Sequence, residues 1–347
     1  MYAWQLHASL APDAQQKAEN MWEKVLRWEK VEDIPLREGY ARVRVRAAAL
    51  NRRDLWIGLG LYPGIRYPAV LGSDGCGEVV EVNHPEAQSW LGRRVVLNPS
   101  LNWGSDERVQ SERYEILGMP SRGTFAEYVD VPIENLHLVP DYLSDVEAAA
   151  IPLAGLTAYR ATFVQGRLQP GEKVLIPGIG GGVAVWVLQL AVAAGAEVWV
   201  LSSSEAKLQT AQRLGATGGA LYNDPSWTRT LAQKVGAFDL IVDGVGGELF
   251  PLYQQIIAPG GRIVVYGATR GNPPTIDLRR LFWKQMHIIG STMGSPTNFT
   301  ALMAFITEKK IKPFVETILP FSALPEALTR LWRGQQMGKL VLQSESP

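Results

Sequence analysis

The chain has 347 residues, long for a single hydrophobic core and of a length that suits two domains. Its 46% hydrophobic and 20% charged content is that of an ordinary globular protein, and 34 Lys and Arg against 34 Asp and Glu leave no net field to attract a polyanion. Nucleic-acid and membrane-surface partners are therefore disfavoured, and a single cysteine, Cys76, excludes an internal disulfide or a thiolate cluster for zinc.

The opening MYAWQLHASLAPDAQQ lacks the basic start, apolar run and small-residue cleavage site of a signal peptide. The longest apolar stretch, around 183–194, is interrupted by Gln189 and falls short of the roughly 20 residues a bilayer requires. A cytoplasmic protein with no membrane segment is expected. Residues 10–24 read as a polar helical insertion. Up to about residue 150 the chain is rich in short β-like runs divided by Pro and Gly: ARVRVRAAAL, GEVVEV, RRVVLNP, TFAEYVDV and NLHLVP. That spacing predicts a mostly antiparallel barrel or sandwich. The charged loop 101–118, with Trp103 and Tyr114, either caps a site or lies on the surface.

Residues 172–290 instead alternate strand and helix. KVLIP, AEVWVL, GGALYN, FDLIVD and GRIVVYG read as strands; VAVWVLQLAVAAG, SEAKLQTAQRLG, WTRTLAQKVG and GELFPLYQQII, despite its Pro251, read as helices. Continuous apolar strands separated by helices require a parallel sheet covered on both faces, a doubly wound α/β domain. Beyond Gly290 a helix is predicted from about Thr297, and the closing GKLVLQ strand returns to the first domain, splitting it around the α/β insertion.

The turn PGIGGGVA joins the first of these strands to its helix. Glycines there are either a flexible link or a phosphate cradle. The strand-turn-helix context favours the cradle, because the unpaired N–H groups and partial positive charge of a helix start attract a pyrophosphate. A strict G-x-G-x-x-G reading uses Gly178 and Gly180 but meets Val183 third; a shifted frame uses Gly178, Gly181 and Ala184, with Gly182 between. An NAD site usually ends its second strand in Asp or Glu. Here Ser202, Ser203 and Ser204 stand at that place and Lys207 follows one turn later, which suits a 2′-phosphate and points to NADP(H). The same SSSE is also an ordinary helix N-cap.

Together VRVRAAALNRRDLW, GLYPGIRYPAVLGSDGCGEVVEV, GTFAEYV, AAAIPLAGLTAYRA, PGIGGGVA, SSSEAKLQTAQRLGA, FDLIVDGVGG, APGGRIVVYG and GKLVL resemble, over nearly the whole chain, the medium-chain dehydrogenases and reductases. Within them the likeness is to the zinc-free quinone and enoyl reductase branch. The resemblance implies a split, mostly β, GroES-like catalytic domain over 1–152 and 293–347, and an inserted Rossmann NADP(H)-binding domain over 153–292. It also implies a homodimer formed by adding strands near 288–293 across two Rossmann sheets.

Zinc-dependent relatives hold a catalytic metal at positions that here match Asn51, Ser73 with Asp74, and Leu153. One carboxylate with neutral or apolar neighbours does not make the N/S ligand set zinc prefers, and the lobe that carries four structural cysteines in those relatives has none here. No metal is expected. In the resembling reductases an Asn and, eleven positions later, a Tyr sit at the nicotinamide end of the cleft. Asn51 and Tyr62 match, the amide as a donor to a ligand oxygen and the phenol as a proton source. Asn51 could instead serve as a turn residue and Tyr62 as a packing aromatic. Thr157 would lie near the nicotinamide, Lys207 and Tyr222 at the 2′-phosphate, and Gly244 and Gly267 along the cofactor groove, although Tyr222 could equally be core. His7, His84, His137 and His287 show no metal or triad spacing. The reading is an NADPH-dependent reductase of a quinone or α,β-unsaturated carbonyl. Its alternatives are a zinc-dependent alcohol dehydrogenase and an NADPH-binding protein without turnover.

Overall fold

A computed structural model describes residues 1–10 and 21–344. The chain forms two compact units, Met1–Ala154 with Ser295–Pro347, and Gly155–Gly294. Of the expected insertion at 10–24, residues 11–20 lie outside the described residues; Trp22–Lys24 is a single 3-10 turn with Trp22 buried.

The first unit begins with β1 (Tyr2–Leu6), β2 (Leu26–Lys30), β3 (Tyr40–Ala49) and α1 (Arg52–Gly58). It continues through β4 (Ala69–Val70), β5 (Asp74–Val82), β6 (Arg94–Leu97), β7 (Ser100–Leu101) and β8 (Glu115–Ile116). Then come β9 (Tyr128–Pro132), β10 (Leu136–Leu138) and α2 (Asp145–Ala149), and α3 (Pro152–Tyr159) begins in the first unit and continues into the second. The GroES-like sheet is organised by β3. Its sequence alternates, so Ala41, Val43 and Val45 enter the core. The intervening Arg42 and Arg44 face outward onto Asp130 and Glu78, at 2.8 and 3.2 Å. Ten residues are long enough to serve three partners: β5 along one edge, and β9 and β18 (Lys339–Gln343) sharing the other.

The second unit holds β11 (Lys173–Ile176), α4 (Gly182–Ala193), β12 (Glu197–Ser202), α5 (Glu205–Arg213), β13 (Gly218–Leu221) and α6 (Trp227–Val235). It is completed by β14 (Phe238–Asp243), α7 (Phe250–Ile256), β15 (Ile257–Val265), α8 (Leu278–Trp283) and β16 (His287–Gly290). The six strands are all parallel in the order β13-β12-β11-β14-β15-β16. This is the doubly wound Rossmann arrangement, with β16 as an edge strand beyond the five predicted. Pro251 is tolerated in α7 because it stands in the first turn, where no helical partner for its missing N–H is needed. The chain then re-enters the first unit through α9 (Pro296–Lys309), β17 (Val315–Pro320) and α10 (Leu324–Trp332) before β18.

β18 pairs antiparallel with the end of β3, Val341 opposite Ala49 and Gln343 opposite Ala47. This register brings the start of β18 to the residues that follow β3.

Candidate active site

In the second unit the order of the strands reverses between β11 and β14, and in open α/β sheets ligands bind beyond the carboxyl ends of strands at such a point. Two glycine turns meet there. Gly178 follows β11 with φ 66°, and a Cβ on it would lie 2.6 Å from Val245 of the turn after β14. A Cβ on Gly244 would lie 2.4 Å from the Tyr266 ring, whereas Gly181 faces only ordinary contacts at 3.7 Å and beyond. Helix α4 starts at Gly182 with no side-chain cap, and the Gly181 N–H is taken by Gly178 O at 3.1 Å, so the helix's first N–H groups, from Gly182 and Val183 on, have no capping side chain. Gly180 completes the turn. Asp243 shapes the second turn: its buried carboxylate accepts from the N–H groups of Val245 and Gly246, at 2.9 and 3.0 Å, and from the Tyr253 hydroxyl at 3.2 Å. Burial pushes the pKa of Asp243 up against these bonds. Gly267, after β15, sits against Gly244, with a Cβ position 3.4 Å from its carbonyl oxygen.

Strand β12 ends in the serines. Ser202 is buried and its Oγ accepts from Ser204 N–H at 3.1 Å; Ser203 is exposed; Ser204 caps α5 by accepting from Lys207 N–H at 3.4 Å. The cap of α5 thus uses the Ser204 side chain and leaves the exposed Ser203 outside it. Tyr222 follows β13, and the Arg270 guanidinium lies 5.3 Å from its ring centre. Arg270 is a cation at this end of the sheet that the sequence reading missed. Thr157, buried, donates its hydroxyl to Met293 Sδ at 3.6 Å within the same unit.

In the first unit Asn51 is buried at the junction of β3 and α1. Its N–H donates to Asp54 Oδ2 at 2.8 Å, so α1 starts with a carboxylate three residues in, as a capping box does. Asp54 also accepts from Gly72 N–H at 3.2 Å. Its complete burial raises its pKa to about 6, against the pull of Arg53 and the two N–H groups. Asp74 is likewise inaccessible, and both its oxygens are engaged: Oδ1 by Leu153 N–H and Oδ2 by the Lys339 ammonium, each at 2.8 Å. Lys339 is 3% exposed. It donates also to Leu50 O at 2.8 Å and to Asn51 Oδ1 at 2.7 Å. An ammonium has three donors and no acceptor. All three are thus used, and the Asn51 amide can present only its oxygen to Lys339. Its Nδ2 is left buried without a partner among the described residues, at a cost of about 1–3 kcal/mol.

Arg53 is the second buried cation. Its guanidinium donates to the carbonyls of Ile116 and Leu117 at 3.2 Å, to Met119 O at 2.6 Å and to Ser73 Oγ at 3.2 Å. Ser73 in turn donates to Leu117 O at 2.7 Å. The lobe 101–118 is therefore fastened from beneath at its end, with Trp103 buried and edge-on to Tyr114 at 5.4 Å, while most of residues 104–113 stay at the surface. Tyr62 is half-buried against the core, with the Arg53 guanidinium 5.1 Å from its ring centre. Of the histidines, His137 packs on Phe299 at 4.6 Å and His7 pairs with Glu29 at 2.5 Å, both structural contacts. No group of three or more His, Cys, Asp or Glu that could hold a metal occurs among the described residues.

Residues 37–141 match the family description Alcohol dehydrogenase GroES-like domain, and 182–308 match Zinc-binding dehydrogenase. The chain is 34% identical over 322 residues, 87% of its length and 89% of the relative's, to the zinc-type alcohol dehydrogenase-like protein YogA of Leptosphaeria maculans. It is 27% identical over 387 aligned positions, 100% of the chain and 88% of the relative, to a crotonyl-CoA carboxylase/reductase of Cereibacter sphaeroides. A crystal structure of an NAD-dependent alcohol dehydrogenase superposes with TM-score 0.89 at 35% identity, covering 99% of each chain. The zinc implied by the family description does not suit the donors present. Asp74 is already neutralised by Lys339, Ser73 is tied to Arg53 and Leu117, Asn51 turns its oxygen to the ammonium, and Leu153 contributes only a backbone N–H. A nicotinamide dinucleotide, by contrast, suits the two glycine turns and the uncapped helix. On this likeness of sequence and fold, the chain belongs to the medium-chain dehydrogenase/reductase superfamily of oxidoreductases.

Proposed function

We propose that the protein is a zinc-independent, NADPH-dependent reductase of quinones or α,β-unsaturated carbonyls. The observation that carries this reading is the Lys339 ammonium bonded to Asp74 and Asn51, which occupies the position where a metal-dependent relative would need an open carboxylate. The name of the crotonyl-CoA carboxylase/reductase relative, which describes reduction of an enoyl thioester, supports the same class. NADP(H) rather than NAD(H) is supported by the absence of a carboxylate at the end of β12, where Ser202 and Ser203 stand, with Lys207 and Tyr222 next to hold a 2′-phosphate.

In this reading Gly178, Gly180, Gly181, Gly182 and Val183 hold the pyrophosphate, Gly244 and Gly267 line the groove, and Thr157 stands by the nicotinamide. The bound nicotinamide supplies a hydride. As the substrate is reduced, negative charge develops on its oxygen, and the Asn51 Nδ2 donor, held in place before the reaction, stabilises it. The Tyr62 phenol delivers the proton that completes an enone's reduction. The substrate is thus a small carbonyl or quinone. We also propose that the protein acts as a homodimer through the edge of the Rossmann sheet.

Calorimetry of the purified protein with NADPH and NADH, metal analysis, and assays against a simple quinone and a simple enone test the reading together. Tight NADPH binding, substoichiometric zinc and NADPH oxidation by either substrate are expected. Stoichiometric zinc with alcohol oxidation would overturn it.

A further inference from the structure

We infer that Lys339 is a positioning residue for the reduction, acting through Asn51. The inference rests on the reductase reading above and deepens it. A primary amide has two faces, oxygen and NH2, and in isolation nothing decides which one a ligand meets. Here a residue 288 positions away in sequence holds the oxygen, the same face that the capping box of α1 uses. The three N–H groups of the ammonium are spent on Leu50 O, Asn51 Oδ1 and Asp74 Oδ2, so rotation of the amide would set an NH2 against an NH3 group. The Asp74 carboxylate, itself anchored by Leu153 N–H, holds the Lys339 ammonium in place. The result is one buried amide donor, Asn51 Nδ2, oriented and unpartnered among the described residues. A buried donor without a partner calls for an explanation, and a substrate oxygen that gains negative charge supplies one. The same ammonium that makes the position unfit for a metal cation therefore fixes the neutral donor that takes over stabilisation of the oxyanion.

A double-mutant cycle tests this, because a residue that works through Asn51 has nothing further to lose once Asn51 is gone, whereas a merely structural residue loses its contribution in either background. With NADPH and a simple enone, Asn51→Ala is expected to lower kcat about 100-fold with little change in KM. Lys339→Met lowers kcat at least about 10-fold. The double variant stays near the Asn51→Ala value. Losses that multiply, or an unchanged kcat in Lys339→Met, would overturn the positioning role. Lys339→Met strands the Asp74 carboxylate and could unfold the protein, so the cycle is repeated with Asp74→Asn present throughout, which leaves no uncompensated buried charge. An arm without turnover separates this inference from the reductase reading. The Asn51 side-chain amide protons, assigned by their loss in Asn51→Ala, are to shift and exchange faster in Lys339→Met. Signals that do not move would sink the positioning role even in an active enzyme. A protein that reduces nothing, yet shows the shift, would instead remove the reductase reading and leave the Lys339–Asn51 coupling standing.

Discussion

Deleting the hydroxyl of Tyr62 leaves its ring where it is, half-buried against the core and beside the Arg53 guanidinium at 5.1 Å. Tyr62→Phe therefore separates proton donation from packing. Reduction of an enone adds a hydride to carbon and then needs a proton for the resulting enolate, a step in which a positioned acid contributes about 100- to 10,000-fold. A quinone's reduced oxygens can take protons from water. The variant is expected to keep its stability within about 0.5 kcal/mol, to lose at least about 100-fold in enone kcat, and to retain quinone reduction. Steady-state rates on the two substrates, with urea denaturation as the control, check this; equal loss on both would assign the ring, not the hydroxyl, as the important part. The neighbouring Arg53 and the distant Lys339 are the residues that a reading of the sequence passes over. NRRD offers no local sign that its second arginine is buried, and its carbonyl partners stand 63 to 66 positions on. A lysine leading an apolar KLVLQ strand was the one available clue to a buried cation, but its partners lie 265 to 289 positions back. Periodicity reports which face of an element is inside, not which carbonyl or carboxylate another segment brings to it.

Helix α1 shows how an element at the site carries an electrostatic burden. It has only seven residues, and its start is held by Asp54, which accepts from Asn51 and Gly72 N–H at 2.8 and 3.2 Å. Burial raises the Asp54 pKa from 3.8 to about 6. Since the folded value exceeds the unfolded one, the stability from this group is fully present below about pH 4 and is lost as pH rises through about 6. His137 works in the opposite sense: burial lowers its pKa from 6.5 to about 4, so its contribution is present above pH 6.5 and lost as pH falls through about 4. The two oppose each other over one window, and a wild-type stability profile alone conceals both. The difference between Asp54→Asn and wild type isolates the first. Between pH 4 and pH 7 the variant is expected to gain about 2–3 kcal/mol relative to wild type in urea unfolding, whatever constant cost the altered cap adds. A flat difference would show that Asp54 titrates as an ordinary exposed carboxylate. The elements themselves were legible: β11 to β15 and the helices between them each carry their own period, and the turn after β11 its own glycines. The lobe 101–118 was not, because its order comes from Trp103 in the core and Arg53 beneath it, contacts that a loop's composition does not encode.

At the scale of the molecule, the Rossmann unit ends in a sheet edge that is open among the described residues. β16 pairs with β15 on one side and with no strand on the other. An unpaired edge row of N–H and C=O groups is a template for a further strand, and proteins normally shield it with charge, proline or a covering segment. This edge carries Ile288 at 36% exposure, and α8 leading into it buries none of its residues: Leu278, Phe282 and Trp283 are 67, 67 and 83% exposed. Large apolar side chains exposed on the helix that precedes an open edge strand fit the proposed two-fold interface in which β16 of one subunit meets its own copy, joining two six-stranded sheets. In such interfaces a buried tryptophan commonly costs about 2 kcal/mol or more when removed. Light scattering behind gel filtration should therefore give the wild-type protein twice the monomer mass, and Trp283→Asp, which puts a charge in the apolar patch, the monomer mass at micromolar concentration. Because neither glycine turn nor any residue proposed to hold the 2′-phosphate belongs to α8 or β16, each variant chain should still bind one NADPH. A wild-type monomer would leave the edge to some other partner, whereas a variant that lost NADPH along with its partner would show that pairing of the edges also orders the cofactor's turns.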